Sequence, residues 1–306
     1  MKKLVTTLGN LAEEQAGMIL PHEHVFVDLR TPDQAGYAQA ETQDVIRLMG
    51  PFLREAREKG VGVIVDCGPV GVGRRADILK AVSQAEGYPL VVPTGVYREP
   101  WIPKWVLEAD EEQLEDWMTG ELTRDVEGTA VQAGFVKLSA GDDGITGQES
   151  KVLRAAAKSA KKVDAVIGSH TIRARVVRDQ LDILEKAGGN PDRFIWIHTQ
   201  AEPDFRLHLE MAQRGVWIEY DGIGGGPDDT YIELIQRMLN AGFEKQLLLS
   251  QDRGWYDPGK PMGGKPKPYT YLADAFLQKL AQAGIGPDTI GRLTRENPYR
   301  AFARDV

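Results

Sequence analysis

The chain contains five histidines, and four of them close or adjoin short apolar runs. Ile19-Leu20-Pro21-His22-Glu23-His24 sets two of these on an extended stretch, two residues apart. Residues so spaced on a strand share a face, so His22 and His24 can bind one metal ion together. Ile167-Gly168-Ser169-His170 and Trp196-Ile197-His198 each run into a further histidine, and Leu249-Ser250-Gln251-Asp252 runs into a carboxylate. Neutral imidazoles with a carboxylate are the donors that suit zinc and related transition ions. Lys137 lies in Phe135-Val136-Lys137-Leu138, where burial disfavours the ammonium and favours the neutral amine. A neutral amine can take up carbon dioxide to give a carbamate, an anionic bridging ligand. Singly, each residue has a plainer explanation: a strand-end histidine bonded to backbone, or a lysine that snorkels or pairs with an acid. Jointly they describe a metal site. His208, inside a helical stretch, reads as structural.

Such a site needs several strands ending at one rim. Eight short β-rich runs are present, at 18–20, 62–66, 90–93, 134–138, 165–168, 194–197, 216–219 and 246–250. Several are apolar at consecutive positions, as strands covered on both faces are. Amphipathic stretches at 43–59, 74–86, 148–162, 174–186, 204–214, 230–241 and 270–283 separate them, with glycines such as Gly60, Gly87, Gly188 and Gly215 at their ends. Repeated βα units of this number predict a (β/α)₈ barrel, an α/β fold whose reactive groups gather at the C-terminal ends of the strands. A doubly wound open sheet is the alternative, but no Gly-rich nucleotide turn is present. No linker or repeat divides the chain, so residues 1–306 are expected to form one domain. The Gly/Pro-rich stretch at 257–268 falls where a barrel places an active-site loop, and 285–303 reads as a closing helix.

Composition sets bounds. The net charge of −8 argues against nucleic acid or an anionic membrane as the partner and leaves a small molecule. The single cysteine, Cys67, forms no internal disulfide, no apolar run follows Met1-Lys2-Lys3, and no stretch approaches a membrane span. A cytoplasmic protein is expected.

From Leu20-Pro21-His22-Glu23-His24 to Glu296-Asn297-Pro298 the chain resembles the phosphotriesterase family of the amidohydrolase superfamily. The resemblance implies a binuclear centre: His22, His24 and Asp252 on the more buried ion, His170 and His198 on the other, and carbamylated Lys137 bridging. Two divalent ions are implied, zinc first, with cobalt, manganese or iron as alternatives. A hydroxide shared by the ions would attack a C=O or P=O centre, with Asp252 taking or shuttling the proton. Two ions against carbamate, Asp252 and hydroxide leave a net charge of about +1, suited to one developing oxyanion. A lactone, carboxylic ester or phosphotriester is the expected substrate, and a homodimer the implied assembly. An amidase for small N-acylated compounds and a non-catalytic binding protein are the alternatives.

Pocket residues are expected from the loops after the third, seventh and eighth strands: Tyr97, Trp101, Asp221, Arg253 and Trp255. Lactone-hydrolysing relatives carry a tyrosine at a position matching Tyr97, and Trp101 and Trp105 continue its loop. Arg253 could bind an acidic substrate group. The chain departs from the family after Asp221, where Gly222-Ile223 stands in place of the arginine common among lactonases, and around His198, which Thr199-Gln200-Ala201-Glu202 follows.

Overall fold

The computed structural model describes residues 2–306. Eight parallel strands circle one axis: β1 (Met18–Phe26), β2 (Val61–Asp66), β3 (Leu90–Val91 and Pro93–Thr94), β4 (Phe135–Ser139), β5 (Ile167–His170), β6 (Phe194–Ile197), β7 (Trp217–Tyr220) and β8 (Leu247–Leu249). The main helices are α1 (Thr42–Glu58), α2 (Ala76–Glu86), α3 (Glu111–Thr123), α4 (Gly147–Lys162), α5 (Ala174–Lys186), α6 (Phe205–Gln213) and α7 (Asp228–Asn240). After β8 a short strand, β9 (Gly254–Tyr256), precedes a helix whose first turn, Leu272–Phe276, is π-wound and which continues as Leu277–Gln282. Among the described residues no helix is long and apolar enough to cross a membrane.

The ladder runs unbroken from β3 through β8 on one side and from β9 through β1 and β2 to β3 on the other. Leu90–Val91 pairs with β2, whereas Pro93–Thr94 pairs with β4, so one strand in two pieces joins both arcs. Side chains join the β8–β1 seam. The His22 amide donates to Ser250 Oγ at 3.0 Å, and the Ser250 hydroxyl donates to Glu23 Oε1 at 2.9 Å. Above it, β9 lies against β1, with Gly254 opposite His24. A Cβ on Gly254 would fall 1.9 Å from the His24 carbonyl oxygen, so only glycine permits that approach.

Alternation along the strands decides what the barrel encloses. Ile19, Val63, Val65, Val91, Phe135, Ile195, Ile197 and Leu248 form an inner cluster, closed at the N-terminal end of the strands by Leu4 and Phe302. A larger cluster lies between sheet and helices. In α5 the residues facing it are Ala174, Val177, Leu181 and Leu184, the stripe of a helix covering a sheet. One or two steps of two beyond an inward apolar residue lies chemistry. Trp217 is followed by Glu219 and Asp221, Phe135 by Lys137, and Leu248 by Ser250 and Asp252.

Strand β1 breaks that rule and then restores it. Ile19 points inward, so Pro21 and Glu23 would be the next inward residues. Leu20 pairs with Ile64 and Glu23 with Asp66, which is three residues against two. The extra residue is a β-bulge. It resets the phase so that His22 and His24 enter the barrel.

Candidate metal centre

His22 and His24 therefore lie within β1, not after it, and Lys137 lies inside β4. His170 ends β5, His198 follows β6 directly, and Asp252 lies three residues past β8. The six side chains form two groups. In the first, Asp252 Oδ1 is 3.0 Å from His24 Nε2 and 3.8 Å from His22 Nε2. In the second, His198 Nε2 is 2.8 Å from His170 Nδ1. The His22 and His198 rings are 5.1 Å apart, so the groups adjoin. Lys137 is buried among them, and its charge acts on both His22 and His170. Among the described residues its ammonium has no hydrogen bond and no carboxylate within salt-bridge distance.

Each ligand-type residue is held by others. His22 Nδ1 donates to Glu219 Oε1 at 2.8 Å, which turns Nε2 toward Asp252 and His24. Asp221 is fully buried beneath the histidines: Oδ1 lies 2.7 Å from His198 Nδ1 and Oδ2 accepts the His198 amide at 2.9 Å. Gln200 Nε2 reaches the same carboxylate at 2.6 Å, which gives the unusual Thr199-Gln200 segment a bracing role. His198 has φ 65°, a left-handed conformation that turns its ring inward where alternation would not. His170 is set less directly. Gln180 of α5 donates to Ser169 Oγ at 2.7 Å and accepts from Thr171 Oγ1 at 2.9 Å, bracing the residues on either side of it.

His22, His198 and Asp221 also bring ligand atoms together. Both histidines face Asp221 through Nδ1, however, so this carboxylate orients the rings and leaves Nε2 free, as partners of metal-binding histidines do. Asp221 was expected at the substrate, but it lies under the centre.

Glu23, the middle residue of His-x-His, carried no signal in the sequence. Its Oε1 accepts from Ser250 Oγ at 2.9 Å and the Gln251 amide at 3.1 Å, and its Oε2 accepts the Arg253 amide at 2.6 Å. The two amides straddle Asp252, which is itself held at φ 51°. Glu23 thus clamps the turn that presents Asp252. Burial pushes its carboxyl up to about 8 against these donors.

Electrostatics favour cations here. Glu23, Asp66, Glu219, Asp221 and Asp252 all lie in or beside the centre, and Lys137 is the one buried ammonium among them. Burial lowers His22 to about 4 and takes His170 well below the usual imidazole range, so both rings are neutral donors. Burial raises Glu219, whereas at Asp252 the adjacent imidazoles outweigh burial and hold the carboxyl well below its usual range. Asp252 Oδ1, His24 Nδ1 and Glu219 Oε2 are buried without hydrogen-bond partners, a costly state unless a cation meets them. The donor set, the orphaned atoms and the partnerless lysine fit a pair of divalent ions.

The mouth is flanked by aromatics. Tyr97 stands edge-on to His170 at 5.3 Å and to Trp101 at 5.5 Å, and Trp101 Nε1 donates to the Leu29 carbonyl at 2.8 Å. Trp255 lies 5.1 Å from His24 on the other side, and its buried indole N–H has no partner. Trp105 packs on Trp117 of α3 instead. Arg253 extends over Tyr271 and donates to the Gly224 carbonyl at 2.8 Å. The loop after β7 is closely packed, since a Cβ on Gly222 would meet Tyr231 Oη at 2.4 Å. His208 is structural, 2.9 Å from both Tyr220 Oη and the Glu202 carbonyl. A cavity of about 710 Å³ opens at the opposite end of the barrel between Lys2, Trp217 and Arg300, away from this chemistry.

A (β/α)₈ barrel with this cluster at the C-terminal ends of its strands is a hydrolase scaffold. Comparison with known proteins makes that specific. The model of the phosphotriesterase family matches residues 2–302, and the chain belongs to that family. The phosphotriesterase homology protein of Escherichia coli is 25% identical, with 94% of this chain and 99% of that protein covered. The aryldialkylphosphatase of Saccharolobus solfataricus is 26% identical, with 96% and 97% covered. A mutant phosphotriesterase-like lactonase from Deinococcus radiodurans superposes with a TM-score of 0.86 at 28% identity, over 98% of this chain and 99% of that one. The chain is an enzyme, a hydrolase of the phosphotriesterase and lactonase type acting on small molecules.

Proposed function

We propose that the two groups of donors each hold a divalent ion, His22, His24 and Asp252 one and His170 and His198 the other, with Lys137 joining them as its carbamate. One observation carries this reading: a buried lysine without any partner lies among two converging sets of donor atoms. Zinc leads as the metal, with cobalt, manganese and iron accepted by the same donors. Bound there, the ions would supply Lewis acidity toward a carbonyl or phosphoryl oxygen and lower the pKa of a water.

The protein's own groups do the rest. Ionised Asp252 accepts the proton of the attacking water as the new O–C or O–P bond forms. Its side chain is 28% exposed, open enough to the mouth to return that proton to the leaving alkoxide as its bond breaks. Tyr97 and Trp255 wall the two sides and restrict water, Trp101 backs Tyr97, and Glu219 and Asp221 hold the histidines. The substrate is a lactone, carboxylic ester or phosphotriester. A single domain over 1–306, a cytoplasmic location and a homodimer belong to the same proposal, and light scattering tests the last.

The experiment is metal analysis followed by a substrate panel. After purification with zinc and bicarbonate, about two ions per chain and turnover of lactones, aryl esters or triesters are expected. Turnover of N-acyl amines alone would establish the amidase instead. Fewer than about one ion per chain with no turnover would leave a non-catalytic binding protein.

A further inference from the structure

The hydrolase reading says nothing of the substrate's charge, but one residue at the mouth does. Arg98 follows Tyr97 on the loop after β3. Its guanidinium lies 5.9 Å from the Tyr97 ring centre and 5.8 Å from that of Trp101. Among the described residues its one hydrogen bond goes to the Ala140 carbonyl at 3.4 Å, the weak end of the range. No carboxylate lies within salt-bridge distance, in a chain with 45 acidic residues against 37 basic ones. Glu149 feels its charge but is spent on the Thr146 amide at 3.0 Å and the Glu99 amide at 3.3 Å. Arg253, the other arginine near the centre, already donates to Gly224 and ties the loop after β8 to that after β7. Arg98 is the uncommitted one.

The rings beside Arg98 are themselves anchored, Trp101 through Leu29 and Tyr97 against His170. The guanidinium therefore has neighbours that limit its motion, while most of its N–H donors lack protein acceptors. Its charge is felt at His170, which places it on the side of the mouth nearest the second group of donors. A planar fork of donors held in place binds carboxylate or phosphate in bidentate fashion with little further ordering.

We propose that Arg98 recognises an anionic substituent, so that the preferred substrate is a lactone or ester bearing a carboxylate or phosphate remote from the scissile bond. This rests on the hydrolase reading above. The contact is the same before and during reaction, so it acts on KM and leaves kcat in place.

The test uses metal-loaded enzyme and matched lactone or ester pairs, each neutral member set against a carboxylate and a phosphate analogue. Wild-type enzyme is expected to favour an anionic member by roughly 10- to 100-fold in kcat/KM, as charge-assisted hydrogen bonds imply. R98Q should raise KM for that member by about the same factor at near-constant kcat and leave the neutral member unchanged, and R98K should recover part of the loss. The carboxylate and phosphate arms identify the anion. Equal use of neutral and anionic members, or an R98Q effect equal on both, overturns the proposal while the hydrolase reading stands. Turnover of none of them overturns both.

Discussion

The two halves of the candidate centre are built differently. Around His22, His24 and Asp252 the protein invests two carboxylates and a strand: Glu219 orients His22, Glu23 clamps the turn at Asp252, and β9 pairs along β1. Both histidines lie inside a strand and are almost fully buried. The other half rests on strand ends. His198 takes a left-handed backbone and relies on Asp221, while His170 has no carboxylate partner and is braced only through its neighbours Ser169 and Thr171. The contrast teaches that one ion should be held by a prebuilt cage and the other by residues that complete their geometry around it.

The strongest way to break that asymmetry is to remove what both halves share. Lys137→Ala should lower the metal content from about two ions to fewer than one per chain and cut activity at least about 100-fold. Mass-spectrometric metal analysis checks this, and unchanged stoichiometry would rule out a bridging lysine. Glu23→Gln comes next. An amide nitrogen facing the Arg253 or Gln251 amide leaves a buried donor unsatisfied, at about 1–3 kcal/mol for each such group. Loss of the more buried ion, read from the spectrum of cobalt-substituted protein, is expected ahead of loss of the second. Asp221→Asn should act in reverse, weakening the His170–His198 ion about 10- to 100-fold in chelator titrations and the other ion less, because His22 also touches Asp221 but keeps its bond to Glu219. Equal weakening of both ions by either variant would show that the halves are not separately supported.

The smallest effect is one of pH. In the metal-free fold His22 titrates near 4, below its ordinary 6.5. Between these values the unfolded chain binds a proton that the folded chain refuses, so stability rises with pH across the window and falls on acidification. The melting temperature of metal-free protein should therefore drop between pH 6.5 and about 4, and His22→Asn should flatten that slope.

How much was legible in the sequence follows from how each residue signals. Histidines at the ends of apolar runs and a lysine inside one conflict with their surroundings, and conflict is visible without a structure. The barrel was legible from the alternation of short apolar runs with amphipathic stretches, although β1 runs on to Phe26, past the apolar run at 18–20 that bounded the expected strand. Supporting carboxylates gave no such sign. Glu219 and Asp221 fall in step with Trp217 on β7, a rhythm that could have placed them inside. Glu23 could not be found that way, because its role depends on β8 lying next to β1, which only closure of the barrel brings about. Arg98 was silent for a related reason: what distinguishes it is the lack of an acid nearby in space.

The bulge in β1 has a consequence for anyone grafting or evolving this site. The histidines reach the interior because that strand is one residue longer than its neighbour requires. Deleting Pro21 alone would leave the motif intact as text and turn both rings out into the helix layer. The motif is therefore written in two characters that alignment does not weigh equally: the pair of histidines, and the surplus residue that tells them which way to face.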